Sequence, residues 1–109
     1  MNPLVRAHLD EIGDLSRRHN VLRLSLFGSA TRDDFDPKRS DLDFLVDFES
    51  LTPGDHADAY FGLLEGLQSL FNRSIDLVES STLRNPYRHQ EIEATQVLLQ
   101  PPRDLRAQI

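Results

Sequence analysis

A Gly28-Ser29 turn stands upstream of Ser40-Asp41-Leu42-Asp43, and a further acid, Asp76, lies in Ser74-Ile75-Asp76-Leu77-Val78. These residue types suit chemistry at phosphorus. Glycine lacks the β-carbon that keeps other residues away from a triphosphate, and the Ser29 hydroxyl and the amides of a following helical turn can donate to phosphate oxygens. Carboxylates are the hard oxygen donors that magnesium prefers, and it is usually held by one or two of them together with substrate phosphates. Successive side chains of a strand alternate faces, so Asp41 and Asp43 emerge on one side, roughly 6.5–7 Å apart at the backbone. Both can reach one cation.

Three clustered carboxylates without counter-charge repel one another and raise their own pKa values, so the grouping makes most chemical sense with cations present. Two metal ions about 3.5–4 Å apart can clamp the attacking and leaving oxygens of an in-line displacement at phosphorus. In that scheme Asp41 and Asp43 bridge the ions. Asp76 holds the ion that activates the incoming hydroxyl, or accepts the proton itself. Asp76 can join only if its strand lies beside that of Asp43, with Ile75 and Leu77 sharing the core face of Leu42 and Phe44. Parity permits this.

Each residue also has a plainer role. Asp41 and Asp43 could be the solvent face of a half-exposed strand, and Asp76 an edge charge that discourages aggregation. Gly28 alone would be a strand-ending turn, Ser29 a helix cap, and Arg32 a surface ion-pair partner. It is their combination and order that favour a metal-nucleotide site. His8, His19, His56 and His89 have no zinc-like spacing. Asp33-Asp34-Phe35-Asp36 lacks the glycine and terminal glutamate of a calcium loop.

The surrounding pattern supplies elements to hold these groups. Leu4, Val5, His8, Leu9, Ile12 and Leu15 recur at helical spacing and predict one first helix ending near His19-Asn20. Leu22, Leu24 and Leu26 alternate with Arg23 and Ser25, which predicts a half-buried strand over Val21 to Phe27. Ala30 to Arg39 reads as a short helical turn and an exposed loop. A second strand places Leu42, Phe44, Val46 and Phe48 on one face and Asp41, Asp43 and Asp47 on the other. Thr52-Pro53-Gly54-Asp55 signals a turn with Asp55 as cap. The set Ala57, Tyr60, Phe61, Leu64, Leu67, Leu70 and Phe71, with Leu63 at its margin, predicts the strongest amphipathic helix. A third strand spans Ser74 to Glu79, and Asn85-Pro86 starts a last helix from Tyr87 to about Leu99, stopped by Pro101-Pro102. The expected class is α/β, a small mixed sheet of three to four strands flanked by helices with the catalytic face left open. Residues 1–100 form the expected domain and 101–109 a tail.

At 109 residues the chain has no room for a second domain of ordinary size. A composition of 39% hydrophobic and 28% charged residues is that of a globular protein, without an apolar run long enough to cross a bilayer. Met1 to Asp10 lacks the basic patch and apolar block of a secretory signal, so a cytoplasmic location is the expectation. The absence of cysteine excludes disulfides and thiolate metal sites, which leaves oxygen or imidazole as ligands. A net charge of −6 argues against free-standing binding to DNA or RNA. A nucleotide bound with divalent cations escapes that objection, because the metal offsets the local carboxylate charge.

Gly28-Ser29, Asp41-Leu42-Asp43 and Asp76 together resemble the minimal nucleotidyltransferases of the DNA polymerase beta superfamily, whose pattern is Gly-Ser, a loop, Asp-x-Asp and a later single carboxylate. The resemblance runs from about Leu22 to Leu99 and includes Leu83-Arg84-Asn85-Pro86 and its helix. The chain is most similar to small antitoxin members encoded beside HEPN-type ribonuclease toxins. That resemblance implies a polymerase-beta-like fold and Mg²⁺-dependent transfer of AMP, with two ions, from ATP to a tyrosine of a HEPN toxin, which is thereby silenced. It implies a hetero-oligomer with the toxin and no direct nucleic acid or membrane contact. Asp41, Asp43 and Asp76 would be the catalytic metal ligands, with Gly28 and Ser29 at the triphosphate. Where family members commonly carry Arg-Gly-Asp after the Gly-Ser, this chain has Arg32-Asp33-Asp34, and its loop before Asp41 is slightly longer. Two other readings compete: a non-catalytic module that masks its partner, and nucleotidyl transfer to a small molecule such as an aminoglycoside, for which so short a chain leaves little room.

Overall fold

Alternation of apolar and acidic residues produces strand β2, Leu42–Phe48, which buries Leu42, Phe44 and Val46 and leaves Asp43 and Asp47 half-buried on the other face. The computed structural model describes residues 2–32, 35–36, 38 and 40–100. Asp33, Asp34 and the expected tail 101–109 lie outside the described residues. Strand β1, Val21–Phe27, pairs antiparallel with β2, and β3, Ile75–Glu79, runs parallel to β2 on its other side. Register places Leu42 beside Ile75 and Phe44 beside Leu77, the shared face that the parity argument requires.

A fourth strand, β4 at Val97–Gln100, pairs antiparallel with the free side of β1, so the sheet order is β3-β2-β1-β4. This corrects the expected last helix. Helix α4 spans Pro86–Thr95 and ends at Gln96, whose backbone is extended (φ −62°, ψ 140°). Local propensity is weak at Val97-Leu98-Leu99, and the open edge of β1 decides in favour of strand. Central β1 is also buried on both faces at Leu24, Ser25, Leu26 and Phe27, not half-buried as its alternation suggests. The second face is therefore partly covered.

The first helix is broken in two. Asn2 caps α1, Pro3–Arg6, by accepting from the Leu4 and Val5 amides, and α2 starts anew at Leu9–Arg18. His8 leaves the helical region (φ −121°, ψ 22°) and packs edge-on against Phe71, with ring centroids 5.4 Å apart. Acids in the first turn of α2 and arginines in its last complement the helix dipole.

Helix α3, Pro53–Phe71, is capped by Thr52, whose hydroxyl accepts from the Asp55 amide at 3.2 Å, so Asp55 is a first-turn acid and not the cap. Its buried face is Ala59, Leu63, Leu67 and Phe71 at four-residue steps. The face is rotated from the expected one: Leu63 is fully buried and Phe61 is 58% exposed. The cause is the α2 contact, where Leu15 and His19 lie against Gly66 and Gly62 and draw those small residues inward. Leu63→Ala is expected to cost about 2–5 kcal/mol by opening a cavity, whereas Phe61→Ala should change stability by less than about 0.5 kcal/mol. Urea denaturation of the two variants distinguishes the two faces. Core residues from α2, α3 and one face of the sheet form a single cluster. No helix among the described residues is long and apolar enough to cross a membrane.

Candidate active site

On the sheet face opposite that core, Asp43 stands in register between Phe27 of β1 and Asp76 of β3. The parallel β2–β3 pairing makes the two carboxylates lateral neighbours. Burial pushes the Asp43 carboxyl up to about 6 from an ordinary 3.8, Asp76 adds to the rise, Arg88 opposes it, and Glu91 and Asp41 add less. The side chain is thus a carboxylate short of positive charge.

Beside it the chain turns sharply at Gly28, which has φ +73° and begins a single helical turn, Gly28–Thr31. A β-carbon on Gly28 would lie 2.5 Å from Asp43 Oδ2, so glycine is required both by the backbone and by the closeness of the carboxylate. The turn is held from several directions. Its Gly28 amide donates to Thr95 Oγ1 at 3.0 Å, and Thr31 Oγ1 donates to the Gly28 carbonyl at 2.7 Å. Asn2 Nδ2 donates to the Ala30 carbonyl at 3.2 Å, which ties α1 to the same turn. Ser29 is half-buried within it.

Helix α4 closes this face. Arg88, Glu91 and Thr95 share one helical stripe by their three- and four-residue spacing. The Arg88 guanidinium donates through Nη2 to Asp76 Oδ2. Its central carbon lies 5.3 Å from the centroid of the Phe27 ring, within cation–π range. Glu91 Oε2 is 3.7 Å from Arg32 Nη1, and Thr95 Oγ1 also donates to the Glu91 carbonyl at 2.7 Å. These α4 residues escaped the sequence reading. The available signal was their common stripe on a helix whose only buried residue is Ile92, an unusually polar surface for an element that packs on a sheet.

Asp41 sits just before β2 and is exposed. Ser40 beside it is tied down, with Arg73 Nη1 donating to the Ser40 carbonyl at 2.9 Å and the Asp36 amide donating to Ser40 Oγ at 3.0 Å. The fold therefore brings Gly28, Asp43 and Asp76 together, with Ser29 in the adjoining turn and Asp41 at the outer end of the strand. Among the described residues no three acidic or imidazole side chains are gathered closely enough to hold a metal ion. Asp76 is engaged by Arg88 instead. Chemically, a carboxylate pair beside a glycine turn with amides to offer suits a cation and a phosphate held side by side.

Residues 6–105 match the family described as nucleotidyltransferase domain, and the chain belongs to that family. A candidate protein adenylyltransferase of Methanocaldococcus jannaschii is 29% identical over 93 residues, covering 78% of this chain and 91% of that protein. The solved structure of a candidate minimal nucleotidyltransferase is 30% identical with a TM-score of 0.61, covering 85% of this chain and 90% of the other. The tri-AMPylated HEPN toxin of Shewanella oneidensis in complex with MNT antitoxin contains a chain of similar fold, with TM-score 0.61 and 19% identity over 94% of this chain and 76% of that one. The mixed four-stranded sheet with flanking helices is the minimal nucleotidyltransferase fold.

Proposed function

We propose that this nucleotidyltransferase moves AMP from ATP to a tyrosine hydroxyl of a partner HEPN toxin and acts as that toxin's antitoxin. The observation that carries the reading is the pairing of Asp43 with Asp76 across parallel strands, beside a glycine whose β-carbon space the Asp43 carboxyl occupies. The likeness to an antitoxin seen with an AMPylated HEPN toxin and to a candidate protein adenylyltransferase supports the acceptor class and the partner. Cytoplasmic placement belongs to the same reading.

The residues fit magnesium. Their donors are hard carboxylate oxygens, and Asp43, half-buried with a raised pKa, is short of positive charge. Asp41, Asp43 and Asp76 are the proposed ligands, and bound Mg²⁺, two ions in this reading, would supply charge neutralisation and alignment of the attacking and leaving oxygens. Gly28, lacking a β-carbon, lets the triphosphate approach the turn while its own amide stays on Thr95, and the Ser29 hydroxyl with the amides that follow Gly28 would receive the phosphate oxygens. The acceptor oxygen attacks the α-phosphorus, its proton passes to Asp76, the bond from the α-phosphorus to the bridging oxygen breaks, and pyrophosphate leaves with that bond's electron pair. The small domain has few groups left to grip an acceptor, which suits a macromolecule that brings its own docking surface.

Incubating the purified chain with Mg²⁺, labelled ATP and its neighbouring gene product is expected to add the mass of one or more AMP groups to the partner. Intact-mass spectrometry reads the outcome. No mass change, together with neutralisation that survives Asp41→Ala and Asp43→Ala, would establish the masking module instead. Modification of an aminoglycoside by the chain alone would establish the small-molecule reading.

A further inference from the structure

The Arg88 side chain spans the carboxylate row. Its guanidinium reaches Asp76 Oδ2 at one end of the register row Asp76–Asp43–Phe27 and lies over the Phe27 ring at the other. The positive charge is therefore held above the face where Asp43 stands between them. Its Nε is buried and has no hydrogen-bond partner, so the guanidinium is not fully satisfied in this position. A buried donor without a partner favours departure to a better acceptor. A triphosphate is such an acceptor, since arginine binds phosphate through parallel N–H bonds.

We propose that Arg88 is a positioning residue that stands in for the divalent cation at Asp76 and yields to it only when a nucleotide offers the guanidinium new partners. This rests on the metal-nucleotide reading of the same face. Without a cation, Arg88 offsets the mutual repulsion of Asp43 and Asp76 and keeps β2 and β3 paired at the site. A metal ion arriving alone must break the Arg88–Asp76 pair, so its apparent affinity is the intrinsic one multiplied by the small fraction of molecules in which that pair is open. Nucleotide that draws Arg88 away lifts this penalty. Reciprocity of linkage then makes the metal tighten nucleotide binding by the same factor. Metal and nucleotide bind cooperatively.

The test is titration with Mn²⁺, followed by electron paramagnetic resonance of the free ion, with and without a non-hydrolysable ATP analogue. Arg88→Met is expected to bind Mn²⁺ alone about tenfold more tightly than the natural protein and to lose most of the enhancement given by the analogue. Arg88→Lys keeps a cation at Asp76 and is expected to restore weak Mn²⁺ binding, which a merely structural role for the side chain would not explain. On the natural protein, the Arg88 Nε–H nuclear magnetic resonance signal should shift when Mg²⁺ and the analogue are added together, and much less with Mg²⁺ alone. Equal Mn²⁺ affinity in the natural protein and Arg88→Met, with AMP transfer intact, overturns the stand-in role and leaves the proposed function standing. Absence of Mn²⁺ binding in every chain, with or without analogue, overturns both.

Discussion

Asp43→Asn is expected to lose nucleotidyl transfer by about a thousandfold or more and, at the same time, to make the metal-free protein more stable. The two effects have one cause. Asp43 is half-buried beside Asp76, and burial, then that neighbour, push its carboxyl up to about 6 from 3.8. An acid whose folded pKa is raised binds its proton more tightly in the folded state, so its stabilising contribution is complete below pH 3.8 and is lost as pH rises through about 6. Near neutral pH the folded protein therefore bears the cost of a charged, poorly solvated carboxylate. Asparagine removes that charge at nearly the same volume. Because the group is partly exposed, solvent screening reduces the gain to about 1 kcal/mol. Scanning calorimetry at about pH 4 and about pH 7.5 should show a variant that gains stability only at the higher pH. A variant that still transfers AMP at the natural rate would remove Asp43 from the mechanism. One that is less stable at neutral pH would refute the electrostatic account.

Gly28→Ala should do damage of a different kind, lowering nucleotide affinity about tenfold or more and stability by about 1–3 kcal/mol. Its backbone sits at φ +73°, a region that an L side chain enters at a cost, and the new β-carbon would come within 2.5 Å of Asp43 Oδ2. Relief requires movement of the carboxylate, of the turn, or of both. Moving the turn strains the Gly28 amide bond to Thr95 and hence the seating of α4. Calorimetric titration with an ATP analogue, alongside thermal denaturation, separates the two losses. If the analogue binds Gly28→Ala as it binds the natural chain, the turn is not the triphosphate seat.

Much of this geometry was legible in the chain itself, and the reasons differ by element. Face alternation along Leu42, Asp43, Phe44 and Val46 is a property of extended backbone, so it survives in any fold that makes this segment a strand. The same rule misjudged β1, because the number of layers covering a strand depends on distant elements: the Phe27 side is covered by Arg88 of α4. Helix α3 lies where its apolar spacing predicts, and Leu67 and Phe71 are buried with Tyr60, Leu64 and Leu70 packed against the core. Leu63, however, moves from the margin to the centre and Phe61 falls outside, because Gly62 and Gly66 meet His19 and Leu15 of the α2 segment. The helical pattern carried past Thr95 failed because Val97 to Gln100 found an open edge at β1. Periodicity contains no information about such an edge.

The amino-acid order alone determined that Asp43 opposes the core face of its strand and that a glycine terminates β1, because strand parity and backbone freedom are local properties. The tertiary structure alone decided that Asp43 and Asp76 are parallel-paired neighbours, that Thr95 holds the turn at Gly28, and that Arg88 lies over the row between Asp76 and Phe27. Those relations join segments far apart along the chain. They arise from how a sheet orders its strands and where a helix docks on it, which depends on packing among all the elements at once.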